Sequence, residues 1–133
     1  MIRKAEHDDV PHIVEMAKRF HVATNQPWPL SEGDMADVVH GIIDSGFAVV
    51  SDGGFFLGLI MRSPLSRDWI VAKEFLWWAE DGSGMKMFNA FRRWAKDNGA
   101  DEIQLSCQPS NNRVQAVYGR YGEASEIIYS EVC

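Results

Sequence analysis

The sequence has few of the features that mark nucleic-acid-binding, membrane-spanning or disulfide-rich proteins. It holds 13 lysines and arginines against 19 aspartates and glutamates, and its net charge of −6 repels phosphate backbones and anionic lipids. No run of about 18 apolar residues is present, so no membrane span is predicted. The two cysteines, Cys107 and Cys133, lack metal-ligand spacing, and no metal site is predicted. Because the N-terminus also lacks the apolar core of a signal peptide, we expect a cytoplasmic protein with reduced thiols.

The chain has enough apolar residues for one hydrophobic core. It is 133 residues long and 46% hydrophobic, which suits a single domain and is too little for two. We therefore expect one domain over residues 1–133.

Periodicity and turn residues predict two helices after a short first strand at residues 2–5. Residues 7–11 resemble a helix start with an aspartate cap and a proline in the first turn, and apolar residues then recur at helical spacing to Phe20. A proline-flanked polar segment, residues 24–29, ends this helix. Ser31 is the expected cap of the second helix.

The second half of the chain alternates strands with helices. Residues 46–50 and 55–61 are strand candidates joined by residues 52–54, whose glycines are expected to supply the positive φ of a tight hairpin turn. The further elements are a long strand at 69–79, a helix after Gly84 that ends at Asn98-Gly99, a strand at 103–107, a helix at 112–121 and a last strand at 127–132. The order β-α-α-β-β-β-α-β-α-β predicts an α/β (α+β) fold, a mixed central sheet with helices on both faces.

The junction of the long strand with its following helix has the composition of an anion site. Gly82-Ser83-Gly84 leads directly into the helix, and glycine lets the backbone approach a ligand closely. Free N–H groups at a helix N-terminus suit a pyrophosphate, and Lys86 adds positive charge in the first turn. Taken alone, such a glycine pair is more often a simple turn.

A more specific pattern follows at residues 112–122, where Asn112 and Tyr118 occupy the sequence Asn-x-x-x-x-hydrophobic-Tyr-x-Lys/Arg-x-Gly. This pattern resembles the second signature of the GNAT superfamily of acyl-CoA-dependent N-acetyltransferases. The glycine pair resembles the first signature, with Gly84 at its central glycine. The resemblance covers essentially the whole chain in element order and implies a short, divergent member, as occurs among phage-encoded and bacterial proteins.

The resemblance implies acetyl-CoA as acyl donor and a primary amine as acceptor. Tyr118 would stand near the thioester sulfur, because the departing thiolate needs a proton donor and a phenol with a pKa near 10 is protonated at pH 7. The loop that holds Asn25 and Trp28 would line the acceptor site. The donor would be held by the backbone of Trp77, Trp78 and Ala79, by Gly82, Ser83, Gly84, Met85 and Lys86, and by Asn112 and Arg120.

Glu74 is the candidate general base for the acceptor amine. Strand alternation predicts one face made of Ile70, Ala72, Glu74, Leu76, Trp78 and Glu80. A carboxylate on such an apolar face is either desolvated with a raised pKa, as suits a base, or paired in a salt bridge with Lys73 or an arginine. Both interpretations stay open on the sequence.

Two departures from the family pattern affect the prediction. Asp81 stands where the first signature has arginine or glutamine, and it repels a pyrophosphate unless its side chain points away or Lys86 offsets it. Only one strand fits after Glu123, and the sheet edge this leaves suggests a homodimer. Two alternatives to an enzyme use the same fold, a non-catalytic CoA-binding module and a protein-interaction module.

Overall fold

The computed structural model describes all 133 residues and contains one five-stranded sheet in the order β1-β2-β3-β4-β5. The strands are β1 (Arg3–Lys4), β2 (Phe47–Ser51), β3 (Gly54–Ser63), β4 (Ser66–Ala79) and β5 (Glu102–Gln104). The helices are α1 (Val10–Thr24), preceded by one 3-10 turn (His7–Asp9), α2 (Glu32–Ser45), α3 (Gly84–Asp97) and α4 (Asn112–Tyr118). β1 to β4 pair antiparallel, and β5 pairs parallel with β4. None of the helices combines the length and apolar character that crossing a bilayer requires.

The sheet has a separate hydrophobic cluster on each face, and β3 contributes to both by simple alternation. Phe55 and Leu57 pack on one face with buried residues of α1 and α2, such as Met16 and Val39. Phe56 packs on the other face with the buried residues Met87, Phe88, Phe91 and Ala95 of α3. The predicted mixed sheet with helices on both faces is therefore confirmed.

The predicted position of the α1 start is correct, but the predicted aspartate cap is wrong. Asp9 makes no cap bond to α1; its carboxylate instead accepts from Glu6 N at 2.8 Å and from Arg3, closing a capping box on the 3-10 turn. Pro11 lies in the first turn of α1 as expected. The prediction for α2 is confirmed, since Ser31 Oγ accepts from Asp34 N at 3.2 Å.

The β2–β3 hairpin is confirmed, but its glycines are needed for space and not for a positive φ. The glycines with positive φ are Gly82 and Gly99, which follow β4 and α3. A Cβ atom on Gly53 would lie 3.0 Å from Asp81 Cβ, and one on Gly54 would lie 3.0 Å from Ser83 Oγ. The turn is therefore glycine-rich because the loop after β4 packs directly on it.

A bulge in β4 overturns the expected single face of that strand. Leu57 pairs with Leu76 while the next residue of β3, Gly58, pairs with Glu74, so Phe75 is the extra residue. Ala72 consequently packs under α3, whereas Leu76 and Trp78 pack against the cluster under α1 and α2. Simple alternation placed all of them on one face, and the bulge reverses the pattern at Phe75.

The predicted last strand at residues 127–132 does not form. These residues have no regular secondary structure, and Ile127, Tyr129 and Val132 are 72%, 89% and 72% exposed. A strand needs a neighbour with aligned backbone groups, and β5 offers a ladder of only three residue pairs. Local β-propensity alone does not supply that neighbour, so the observed order ends with α4.

The close packing of β3 against α3 gives a stability prediction. A Cβ atom on Gly58 would clash with the buried ring of Phe91. We expect Gly58→Ala to lower the free energy of unfolding by about 1–3 kcal/mol, because the ring or the strand must move. The matched control is Gly41→Ala on α2, where nothing lies within 4 Å and a stability gain of up to about 1 kcal/mol is expected. Urea unfolding of both variants checks this, and equal effects would contradict it.

Candidate active site

The candidate site lies where β4 and β5 separate. β5 pairs with β4 only at Val71, Ala72 and Lys73, whereas β3 stays paired with β4 up to Ala79. From Glu74 onward, the edge of β4 that faces away from β3 therefore has no strand beside it. The backbone of Trp77, Trp78 and Ala79, predicted to face the donor, lies along this open edge. Free backbone N–H and C=O groups there are available to a ligand.

Glu74 is a buried carboxylate at the start of the open edge. It is 5% exposed, and burial raises its pKa to about 7. Ser106 opposes that rise by donating its Oγ–H at 3.0 Å and its N–H at 3.4 Å to Glu74 Oε2. Glu74 forms no ion pair, so the salt-bridge interpretation is wrong. The carboxylate is desolvated, and raised pKa values of this kind are common among catalytic acids and bases.

Tyr118 connects to Glu74 through Ser106. Its hydroxyl accepts from Trp77 Nε1 at 2.9 Å and is 3.4 Å from the carbonyl oxygen of Ser106. Burial, followed by the nearby charge of Glu74, raises the pKa of Tyr118 above its ordinary range. The ring stacks on Phe88 of α3, with centroids 5.8 Å apart. The phenol is therefore held in one place and stays protonated.

Cys107 follows Ser106 and is exposed. Desolvation and then the charge of Glu74 raise the pKa of its thiol. A raised pKa lowers the thiolate fraction at neutral pH, and the thiolate is the nucleophilic form. The structure therefore gives Cys107 no activation as a nucleophile.

The glycine loop forms the N-terminus of α3. Gly82 adopts φ +78°, and the space around it is open. The first helical bond from this end runs from Met87 N to Ser83 O, so the N–H groups of Gly84, Met85 and Lys86 precede the ladder. Met85 and Lys86 are exposed there. Three free N–H donors and the positive end of the helix dipole therefore lie together at the exposed start of α3.

The Asp81 carboxylate is hydrogen-bonded both to the β2–β3 hairpin and to Ser83 in the glycine loop. Its carboxylate accepts from Ser51 Oγ at 2.7 Å and from Gly53 N at 3.0 Å, both in the β2–β3 hairpin. It also accepts from Ser83 N at 3.1 Å and from Ser83 Oγ at 2.5 Å. The bonds from Ser83, and then that from Ser51, hold the pKa of Asp81 well below its usual range. The negative charge is thus compensated by four donors, two from the hairpin and two from Ser83.

The remaining predicted residues lie around this opening. Asn112 begins α4 and is exposed, while its neighbour Asn111 caps the helix by accepting from Val114 N at 3.1 Å. Arg120 is exposed just beyond the end of α4. Asn25 ends α1 in the left-handed region at φ 48°, and Trp28 is half-exposed in the loop that follows.

Two residues of the site were missed by sequence reasoning. The first is Ser106, which donates to Glu74. Only the parallel register of β4 and β5, in which Lys73 pairs with Gln104, would have predicted that Ser106 lies near Glu74. Gln108 Nε2 donates to Thr24 O at 2.7 Å and ties the α1–α2 loop to the β5–α4 loop. No sequence pattern indicates that contact. It places the loop of Asn25 and Trp28 beside the opening.

Several solved structures of acetyltransferases share this fold. A predicted acetyltransferase with acetyl-CoA from Clostridium acetobutylicum has a TM-score of 0.77 at 14% identity, covering 98% of this chain and 95% of that chain. A possible acetyltransferase from Clostridium difficile 630 has a TM-score of 0.73 at 15% identity, covering 100% and 97%. An aminoglycoside acetyltransferase from an uncultured soil metagenomic sample, in complex with trehalose, has a TM-score of 0.71 at 10% identity, covering 100% and 95%. At these identities the likeness establishes the fold.

The family is shown by the sequence itself. A profile of the acetyltransferase (GNAT) domain matches residues 1–123, which is most of the chain. The chain therefore belongs to the GNAT acetyltransferase family, as residues 112–122 had indicated. No curated protein matches it in sequence.

Burial of Glu74 predicts a pH-dependent loss of stability. Between its ordinary pKa of 4.5 and the folded value of about 7, the folded chain binds more protons at this site than the unfolded chain. The contribution of Glu74 to the free energy of unfolding therefore falls as the pH rises through that window. We expect Glu74→Gln to gain free energy of unfolding over the wild type between pH 5 and pH 8, on the order of 1–3 kcal/mol. Urea unfolding at both pH values measures it, and parallel pH profiles of the two proteins would contradict it.

Proposed function

We propose that this protein is an N-acetyltransferase that moves an acetyl group from acetyl-CoA to a primary amine. The observation that carries the proposal is the bonded chain from Glu74 through Ser106 to Tyr118 at the open edge of β4. It places a carboxylate with a pKa near 7 and a protonated phenol beside unpaired strand backbone. In the reaction, a new C–N bond forms at the acetyl carbon and the C–S bond breaks. Glu74 takes one proton from the acceptor ammonium, and the second proton, which the nitrogen loses after its attack, passes to the departing sulfur, so that CoA leaves as its thiol.

Glu74 takes the proton that the ammonium group must lose before the amine can attack. A base with a pKa of about 7 is ionised in a large fraction of molecules at neutral pH and still accepts a proton readily. The two donors from Ser106 leave lone pairs of the carboxylate free for the incoming proton, directly or through water. The position of Glu74 on β4 keeps this base at one end of the open edge.

Tyr118 acts on the leaving group. Its O–H, which donates to Ser106 O at 3.4 Å, turns toward the departing sulfur, whose thiol has a pKa near 8.5 by analogy with cysteine. Since the pKa of Tyr118 is raised above that of an ordinary phenol, the phenol keeps its proton and stabilises the developing thiolate by hydrogen bonding. Trp77 Nε1 donates to the same oxygen and holds the hydroxyl beside β4.

The donor is held along β4 and by the first turn of α3. Backbone groups of residues 77–79 face the pantetheine arm, and the N–H groups of Gly84, Met85 and Lys86 face the pyrophosphate. The open space at Gly82 suits an anion at this loop, and the charge of Asp81 is compensated by donors from Ser51, Gly53 and Ser83. Asn112 and Arg120 lie exposed at the two ends of α4 for the remaining polar groups of CoA.

The acceptor enters beside the loop that carries Asn25 and Trp28. His21 Nε2 lies 2.6 Å from Trp28 O, and the two rings are in contact, so the loop is anchored to α1. Gln108 anchors the other side of this loop.

The cytoplasmic location, the phage or bacterial origin and the homodimer stay predictions from the sequence.

Removal of the base tests the mechanism. We expect Glu74→Gln to lower kcat/KM by about 10²–10⁴-fold, because general base catalysis contributes on that scale. The wild-type rate is expected to rise with pH through about 7, and the variant is expected to lose that limb. Release of free CoA thiol across polyamines, aminoglycosides, amino acids and peptides provides the assay. Binding of acetyl-CoA without thiol release for any amine would favour the non-catalytic module instead.

Direct attack by the amine is tested at Cys107. Because its thiol has a raised pKa, we expect Cys107→Ser to keep kcat within about twofold and to form no acetylated intermediate. Tyr118→Phe, in contrast, is expected to lower kcat while leaving the KM for acetyl-CoA nearly unchanged. Mass spectrometry of the enzyme with acetyl-CoA alone completes the comparison. An acetyl group found on Cys107, with loss of activity in the serine variant, would replace direct attack by a covalent route.

A further inference from the structure

The loop after β4 is bonded to the β2–β3 hairpin through one side chain. Oδ2 of Asp81 accepts from Ser51 Oγ and Gly53 N, and Oδ1 accepts from Ser83 Oγ and Ser83 N. Two donors come from the hairpin and two from the residue that immediately precedes α3. The carboxylate therefore joins the hairpin turn and the helix start through its two oxygens.

The surroundings of this carboxylate are packed around it. Ser51 and Ser83 are 6% and 7% exposed, and their hydroxyl oxygens lie 3.1 Å apart. Any side chain on Gly53 would press on Asp81, and one on Gly54 would press on Ser83. Glu80 N also donates to Gly53 O at 2.7 Å, so the backbone fixes the same contact. These contacts hold the Asp81 carboxylate in one orientation, unlike a surface carboxylate that rotates freely.

An amide cannot replace the carboxylate in this arrangement. Gly53 N–H and Ser83 N–H each donate to a different oxygen of Asp81, and neither backbone group can reverse its role. Whichever way an asparagine is turned, its NH₂ group would face one of these N–H donors. The four bonds to an ionised acceptor are also stronger than bonds to a neutral amide oxygen.

We propose that Asp81 is a positioning residue that holds Gly82 and the first turn of α3 in the arrangement that receives the pyrophosphate of acetyl-CoA. This inference rests on the proposed function. It gives Asp81 a role that favours binding of the pyrophosphate, whereas the sequence alone suggested that its charge repels that group. The loop contains a glycine in the left-handed region and would sample many conformations if released. Fixing it before the donor arrives removes that ordering cost from binding.

The test compares Asp81→Asn with Asp52→Asn. Asp52 lies in the same hairpin turn, is exposed and accepts no side-chain hydrogen bond, so its variant removes one negative charge and no anchor. With CoA as the probe in isothermal titration calorimetry, we expect Kd to rise about tenfold or more in Asp81→Asn. Asp52→Asn is expected to stay within about twofold, and Ser51→Ala to give a smaller rise in the direction of Asp81→Asn. All measurements are made well below the Tm of each variant.

The same variants are compared by hydrogen exchange without ligand. Faster exchange confined to residues 82–88 is expected in Asp81→Asn, because the anchor of the helix start is lost. An unchanged or lower Kd, with the variant folded, would overturn the proposal, and a lower value would mean that repulsion dominates. If wild-type protein bound no CoA, the proposed function would fail, and with it this role. Faster hydrogen exchange at residues 82–88 in Asp81→Asn would then show that Asp81 orders the start of α3, although no CoA binds there.

Discussion

The short parallel pairing between β4 and β5 is the constraint on which the site depends. Three residue pairs hold the two strands together, and beyond Lys73 they separate. The gap would leave strand backbone without partners inside the molecule, which is costly unless other groups or a ligand supply them. Trp77 and Tyr118 meet across it through one hydrogen bond, and Ser106 turns toward Glu74. The same separation thus leaves the edge of β4 open and brings Glu74, Ser106 and Tyr118 together beside it.

Two carboxylates near this edge have opposite pKa shifts, each with its own physical cause. Glu74 is buried with donors from Ser106 alone, so desolvation dominates and its pKa rises to about 7. Asp81 is exposed, but it receives four hydrogen bonds, which favour its ionised form and lower its pKa. The first carboxylate is therefore partly protonated near neutral pH. The second keeps its charge, which is compensated by two donors of the hairpin and two of Ser83.

The sequence supported the helices and the family, and it failed where the backbone departs from a regular period. The apolar repeats of α1, α2 and α3 and the cap at Ser31 predicted those helices well, because each depends on local spacing. The bulge at Phe75 carries no local pattern, so the two faces of β4 were assigned wrongly. The strand at 127–132 failed because pairing depends on a neighbour and not on propensity. Glu74 was singled out because a carboxylate among apolar residues is conspicuous, and it lies before the bulge, where the alternation of β4 is still regular.

The loop after α1 is fixed by a different kind of bond from the edge of β4. The open edge of β4 and the start of α3 present backbone groups, whose positions follow from the strand and the helix themselves. The loop after α1 is held by side-chain bonds from His21 and Gln108 to backbone carbonyls. Nearby, Arg19 is paired with Glu80 at 2.7 Å, so this ion pair adds no net charge beside the loop. The shape around Trp28 therefore depends on particular side chains, whereas the backbone groups at the edge of β4 and at the start of α3 do not.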